Sequence, residues 1–174
     1  MRYALIREMD ISNGEGIGVS LFVQGCRTHC KGCFNRETWD FSGGKEWNDE
    51  IENKFFELID RPFIKRVSFL GGEPLAKENV CEIYYLCEKI KNKFPEKNIW
   101  LYTGYQLSIN NFKPSYLGLV VLNEVVKLCD VVVDGPYIEE QRDLTLAFRG
   151  SRNQRLIDVK ETLKQNQIVL YNTK

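Results

Sequence analysis

The sequence predicts an α/β fold built on a largely parallel sheet. Three observations carry this. Segments of strand and helix character alternate four times, each strand segment stops at a loop marked by Gly, Pro or Cys, and no repeat, low-complexity tract or Pro/Ser-rich linker divides the 174 residues. The length suits one domain, residues 1–174, and 43% of the residues are hydrophobic, enough for a core.

The elements follow in order. Residues Gly18–Val23 (GVSLFV), rich in β-branched and aromatic types, read as a strand that runs straight into a cysteine loop at 26–36. Over Trp47–Ile59, the positions Trp47, Ile51, Phe55, Leu58 and Ile59 recur at helical spacing, with acidic residues early in the segment. Arg66–Leu70 (RVSFL) is a second strand, and Gly71-Gly72-Glu73-Pro74 forbids its continuation. Val80, Ile83, Tyr84, Cys87, Ile90 and Phe94 form the apolar stripe of a second helix. Asn98–Tyr102 (NIWLY) is a third strand, stopped at Thr103-Gly104. Ser115–Leu128 reads as a third helix whose polar face is Asn123, Glu124 and Lys127. Val131–Val133 is a fourth, buried strand, closed by Asp134-Gly135-Pro136, and Ile168–Tyr171 has the character of a short strand. The sheet is either open or curled into a partial barrel. In such architectures the loops that leave the carboxyl ends of the strands gather on one edge, where ligands bind. The cysteine loop, the Gly71–Pro74 turn, Thr103-Gly104-Tyr105 and Asp134-Gly135-Pro136 therefore face one site.

Composition excludes several classes. Twenty-four Lys and Arg balance 24 Asp and Glu, so no overall basic field drives nucleic-acid binding. The longest apolar runs, such as Leu117–Val121, fall far short of the roughly 20 residues needed to span a bilayer, so no membrane partner is expected. Arg2, Arg7, Glu8 and Asp10 interrupt any signal-peptide core, and a cytoplasmic protein is the expectation.

Six cysteines without an export signal argue for metal or redox chemistry rather than disulfides. Cys26, Cys30 and Cys33 crowd into a C-x3-C-x2-C loop, whereas Cys81, Cys87 and Cys129 lie singly among apolar residues and read as structural. Three soft thiolates at one point suit an iron–sulfur cube or a zinc ion. A [4Fe-4S] cluster on three cysteines leaves one iron open to another ligand. The sole histidine, His29, would complete a zinc site only while adjacent to another ligand, Cys30, so it reads as a solvated loop residue or a weak outer donor.

These residues carry a resemblance. The cysteine loop together with Gly71-Gly72-Glu73-Pro74 resembles the two signature motifs of the radical S-adenosylmethionine superfamily. Within it, Gly32-Cys33-Phe34-Asn35 is similar to the activating proteins of anaerobic ribonucleoside-triphosphate reductases. Asp10-x2-Asn13-Gly14-x-Gly16 before LFVQGC, Trp39, Trp100-x2-Thr103-Gly104-Tyr105 and the stretch from Asp134 to Arg155 match that family's pattern, so the resemblance runs from about residue 10 to residue 158. An aromatic residue usually precedes the third cysteine in the superfamily; here Gly32 stands there and Phe34 follows.

The resemblance implies a partial (β/α) barrel with the site at the carboxyl ends of its strands. It implies that Cys26, Cys30 and Cys33 ligate one [4Fe-4S] cluster and that S-adenosylmethionine chelates the fourth iron. Reductive cleavage would give a 5'-deoxyadenosyl radical that takes a hydrogen atom from a glycine of the reductase. The cluster carries that chemistry, and no separate catalytic side chain is expected. Gly32, Cys33, Phe34, Gly71, Gly72 and Glu73 would bind the cofactor, the two glycines of the turn by close backbone approach to its amine. Thr103 and Asp134 end the third and fourth strands and would reach it as well. The implied partners are the reductase and a flavodoxin or ferredoxin-type electron donor. Arg149, Arg152 and Arg155 read either as a solvated loop or as a segment that docks the reductase or closes over the cofactor. Rival readings are a radical enzyme acting on a small molecule, of the 7-carboxy-7-deazaguanine synthase kind, to which Asn13-Gly14-Glu15-Gly16 is also similar, an activase of another glycyl-radical enzyme, and a zinc-bearing binding module.

Overall fold

The computed structural model describes residues 1–112 and 120–173. Its elements are β1 (Arg2–Asp10), β2 (Gly18–Val23), β3 (Lys45–Glu46), α1 (Asp49–Ile59), β4 (Arg66–Gly71), α2 (Val80–Lys93), β5 (Asn98–Tyr102), α3 (Val120–Leu128), β6 (Val131–Asp134), β7 (Arg155–Asp158) and α4 (Val159–Gln165). The predicted strands from Gly18, Arg66, Asn98 and Val131 are β2, β4, β5 and β6. Residues 115–119 of the predicted third helix lie outside the described residues, and the rest of it is α3.

One seven-stranded sheet has the order β3-β1-β2-β4-β5-β6-β7. Its centre, β2, β4, β5 and β6, is parallel, while β1 and β3 on one side and β7 on the other are antiparallel. The period-two alternation of the strands divides the sheet into two unlike faces. Val19, Leu21, Val23, Val67, Phe69, Ile99, Leu101, Val132 and Ile157 point to one face, where they join Phe55, Leu58 and Ile59 of α1, Ile83, Leu86, Cys87 and Ile90 of α2, and Val125 and Val126 of α3. The stripe at three-and-four spacing packs into this core, and Cys87 within it and Cys129, just after α3, are buried as small hydrophobes. Helix α1 begins two residues later than its apolar pattern, because Asn48 caps it by accepting a hydrogen bond from Ile51 N at 3.0 Å. Trp47 instead meets the rings of Tyr3 and Phe55 edge-on.

The opposite face is mixed. Trp100, Val131, Val133 and Leu156 form a small apolar group with Tyr102, Phe148 and Tyr171. Beside it lies a buried polar knot: Arg66 donates to Asn13 O and Asp10 O, each at 2.6 Å, and to Ser68 Oγ, while Asp10 accepts from Ser20, Asn13 and Ser12. Asp10 is fixed by these donors, and burial depresses the pKa of Arg66. The knot lashes the Asp10–Asn13 turn to the sheet. Segment Ile168–Tyr171 runs beside β7 through a bridge from Leu170 to Ile157 and a hydrogen bond from Tyr171 N to Leu156 O at 2.8 Å.

Candidate iron–sulfur centre and its cleft

Backbone pairing stitches the carboxyl ends of β2 and β4 together and so builds the cysteine loop. Gly72 N donates to Val23 O at 2.9 Å, and Glu73 N donates to Gly25 O at 2.7 Å. The far end of the loop returns to the same place, with Gly25 N on Thr38 O at 2.7 Å and Cys26 N on Trp39 O at 3.0 Å. Two buried amides complete the anchor. Gln24 Nε2 donates to Glu37 O and Asp40 O, and Asn79 Nδ2 donates to Gln24 O and Glu73 O, each at 3.0 Å or less.

Held this way, Cys26, Cys30 and Cys33 share the wall of one cavity of about 140 Å³ with Gly71, Gly72, Glu73, Thr103 and Gly104. The cysteines feel one another: burial pushes the Cys30 thiol up, and its neighbours Cys33 and Cys26 add to that shift. Asn35 N donates to Cys33 Sγ at 3.4 Å, the kind of N–H···S contact that tunes an iron–sulfur site. Among the described residues, no three His, Cys, Asp or Glu side chains close around a single metal ion. His29 is exposed and stacks on Trp39, with ring centroids 4.4 Å apart, on the outer side of the loop.

The glycine turn has a steric reason. Gly71 has φ +103°, and a Cβ there would lie 2.8 Å from Phe22 Cα; a Cβ on Gly72 would strike the Gly25 carbonyl. Glu73, 2% exposed, accepts from Leu75 N at 3.0 Å, Thr103 Oγ1 at 2.8 Å and Gly104 N at 2.8 Å. It therefore clamps the β4 loop to the β5 loop. Burial pushes its pKa up to about 7 against those three donors.

A larger cleft of about 580 Å³ opens from this cavity along the mixed face of the sheet, and Cys33, Asn35, Leu70, Tyr102, Tyr137 and Gln154 border both. Its floor is Phe22, Leu70 and Tyr102, and its cover is Leu144, Leu146, Phe148 and Arg149. Phe34 borders the cleft, 59% exposed, and meets Tyr137 edge-on at 5.4 Å.

The cysteines, Gly71, Gly72, Glu73 and Thr103 are thus together, and Phe34 stands at the cleft. Gly32 stands apart from both cavities, where its φ of +77° and the nearby Glu139 carboxylate leave no room for a side chain. Asp134 does not reach in either. Its fully buried carboxylate accepts from Leu107 N at 2.8 Å and from Arg155, so the last arginine of the basic segment is spent on the fold. Arg152 is exposed, and Arg149 borders the cleft. Tyr102, Leu144, Leu146, Phe148 and Gln154 are wall residues that sequence reasoning missed. The alternation in NIWLY, which sends Trp100 and Tyr102 to one face, was the available signal.

Comparison with known proteins matches most of the chain. The family model of the 4Fe-4S single cluster domain matches residues 12–157. The anaerobic ribonucleoside-triphosphate reductase-activating protein of Vibrio cholerae is 37% identical over 157 residues, covering 88% of this chain and 96% of its own. Its namesake in Escherichia coli K12 is 36% identical over 156 residues with the same coverage. The protein of that name from Enterobacteria phage T4 is 36% identical over 156 residues, covering 90% of this chain and 93% of its own. With the family model and relatives in agreement over most of its length, the chain belongs to the family of anaerobic ribonucleoside-triphosphate reductase-activating proteins.

Proposed function

We propose that this chain activates an anaerobic ribonucleoside-triphosphate reductase by placing a glycyl radical on it. The observation that carries the reading is the convergence of Cys26, Cys30 and Cys33 on one cavity that opens into a larger cleft. The residues fit the group: three thiols are the donor set of a [4Fe-4S] cluster with one open iron, and Gly71 and Gly72 line the same cavity. Bound there, a reduced cluster with S-adenosylmethionine would supply the one-electron cleavage chemistry needed to take a hydrogen atom from a glycine.

The protein's own work is holding and shielding. Cys26, Cys30 and Cys33 would hold three irons, Gly71 and Gly72 line the cavity where the backbone would meet S-adenosylmethionine, and Cys33 and Phe34, at the cleft, would also contact it. Glu73 keeps the two loops at fixed spacing through three hydrogen bonds, which makes it a positioning residue. Leu70, Leu146 and Phe148 give the cleft an apolar wall, and Leu144 lies at its rim, 75% exposed. The four central parallel strands, with all helices on one face, support reading the sheet as the superfamily's partial barrel and the chain as a single domain. A low-potential flavodoxin or ferredoxin in the cytoplasm would supply the electron.

The test is reductase activation. Anaerobically assembled protein, reductant, S-adenosylmethionine and the reductase from the same source should yield ribonucleotide reduction that Cys26→Ser, Cys30→Ser or Cys33→Ser abolishes. Activity in the absence of this chain, or undiminished in all three variants, overturns the reading.

A further inference from the structure

Two buried polar atoms at the large cleft have no hydrogen-bond partner among the described residues: the Tyr102 hydroxyl and Arg149 Nε. They come from different walls, Tyr102 from the end of β5 in the floor and Arg149 from the segment that covers it. Burial of a polar atom without a partner costs stability, and folded proteins rarely tolerate it without a reason. A third such atom, Arg66 Nε, belongs to a guanidinium whose other nitrogens are bonded, and it lies in the polar knot instead. Two orphans that border one cavity therefore point to a ligand with hydrogen-bonding groups.

The chemistry of the target narrows that ligand. Glycine has no side chain, so an enzyme that takes its Cα hydrogen must recognise the peptide backbone on either side. Backbone carbonyls are acceptors, and both Tyr102 Oη–H and Arg149 Nε–H are donors. Phe22, Leu70, Leu146 and Phe148 give the cleft its apolar surface, Ser12, Asn13, Asn35 and Gln154 also border it but do not pair with either orphan atom, and Arg7 has its guanidinium over the Phe22 ring at 4.8 Å. A volume of about 580 Å³ falls within the usual range for a ligand site, about 300–1,000 Å³.

Resting on the glycyl-radical reading above, we infer that Tyr102 and Arg149 are the backbone anchors for the reductase segment that carries the reactive glycine. They grip its carbonyls in the cleft and so hold the glycine Cα beside the cavity of Cys26, Cys30 and Cys33. Both are positioning residues, and Arg149 faces inward rather than serving a charged docking surface.

The probe is a synthetic peptide with the sequence of the reductase's radical-glycine segment, its binding measured by fluorescence anisotropy on the cluster-loaded protein and on the protein before loading. Affinity should fall about five- to tenfold in Tyr102→Phe and tenfold or more in Arg149→Gln, the loss of one hydrogen bond from a neutral and from a charged donor. In activation assays the reductase concentration at half-maximal rate should rise more than the maximal rate falls. Tyr102→Phe should melt at the same temperature as the parent protein or higher, because it removes an unpartnered hydroxyl; a structural tyrosine would lower it.

Unchanged peptide affinity in both variants overturns the inference. So does a loss of S-adenosylmethionine affinity as large as the loss of peptide affinity, which would assign the two donors to the cofactor. If the parent protein produces no glycyl radical and binds no peptide, the underlying reading fails and this one with it; if it produces the radical while both variants bind the peptide as well as it does, only the anchors fail.

Discussion

Replacing Glu73 with Gln separates the clamp from its charge. The carboxyl group is buried against three donors, Leu75 N, Thr103 Oγ1 and Gly104 N, yet burial outweighs them and raises its pKa from 4.5 to about 7. The folded protein therefore keeps a proton that the unfolded chain has released. The stability this contributes is fully present below about pH 4.5 and is lost as pH rises through about 7. At about 1.4 kcal/mol per pH unit, that displacement disfavours the ionised form by about 3 kcal/mol, of which about 2 kcal/mol develops between about pH 5.5 and about pH 8. Gln has nothing to ionise; its one acceptor oxygen can keep Leu75 N and Thr103 Oγ1, while its NH2 faces Gly104 N and loses that bond at either pH, a cost that cancels in the comparison between the two pH values. Urea denaturation of reduced, metal-free protein at the two pH values is the assay. The stability of Glu73→Gln relative to the parent should improve by about 2 kcal/mol on going from the lower to the higher pH. An identical pH dependence in the two proteins would refute the reasoning, because Glu73 would then titrate as an ordinary carboxylate.

Other perturbations follow from the same geometry. Asp134→Asn leaves Arg155 without its buried counter-ion and should cost about 3 kcal/mol in urea denaturation, whereas a loss below about 1 kcal/mol would mean the pair contributes no more than a surface bridge. Gly72→Ala puts a methyl group into the Gly25 carbonyl and should displace the cysteine loop, lowering iron incorporation in anaerobic assembly while leaving the far-UV circular dichroism spectrum unchanged. Cys81→Ser, at an exposed position on α2, should retain about four irons and four sulfides per chain, the load expected of the parent protein; Cys30→Ser should not.

The parallel centre of the sheet was legible because each of its strands is a short apolar run closed by Gly or Pro. β1 was not, since RYALIREMD carries Arg7, Glu8 and Met9 outward at positions that β3 leaves uncovered, and its exposed residues hide the alternation. β3 and β7 are too short to show a period, and α4, with seven residues, owes its start to the Asp158 cap, which accepts from Glu161 N at 2.9 Å. At the site, the cysteines announced themselves through local spacing. The roles of Tyr102, Arg149 and Asp134 depend on which face each occupies and on partners far along the chain, such as Arg155 for Asp134, and a linear motif does not encode that.

The central claim is that one electron delivered to the three-cysteine site drives the cleavage of S-adenosylmethionine to methionine, and that the hydrogen atom then taken up as 5'-deoxyadenosine forms leaves a radical on the reductase. Its most direct test is electron paramagnetic resonance of one anaerobic sample containing the assembled protein, reductant, S-adenosylmethionine and reductase, with 5'-deoxyadenosine measured alongside. The account predicts a glycyl doublet on the reductase that requires Cys33, with about one 5'-deoxyadenosine formed per radical. Formation of 5'-deoxyadenosine while the reductase stays free of radical would contradict it and point to a different substrate.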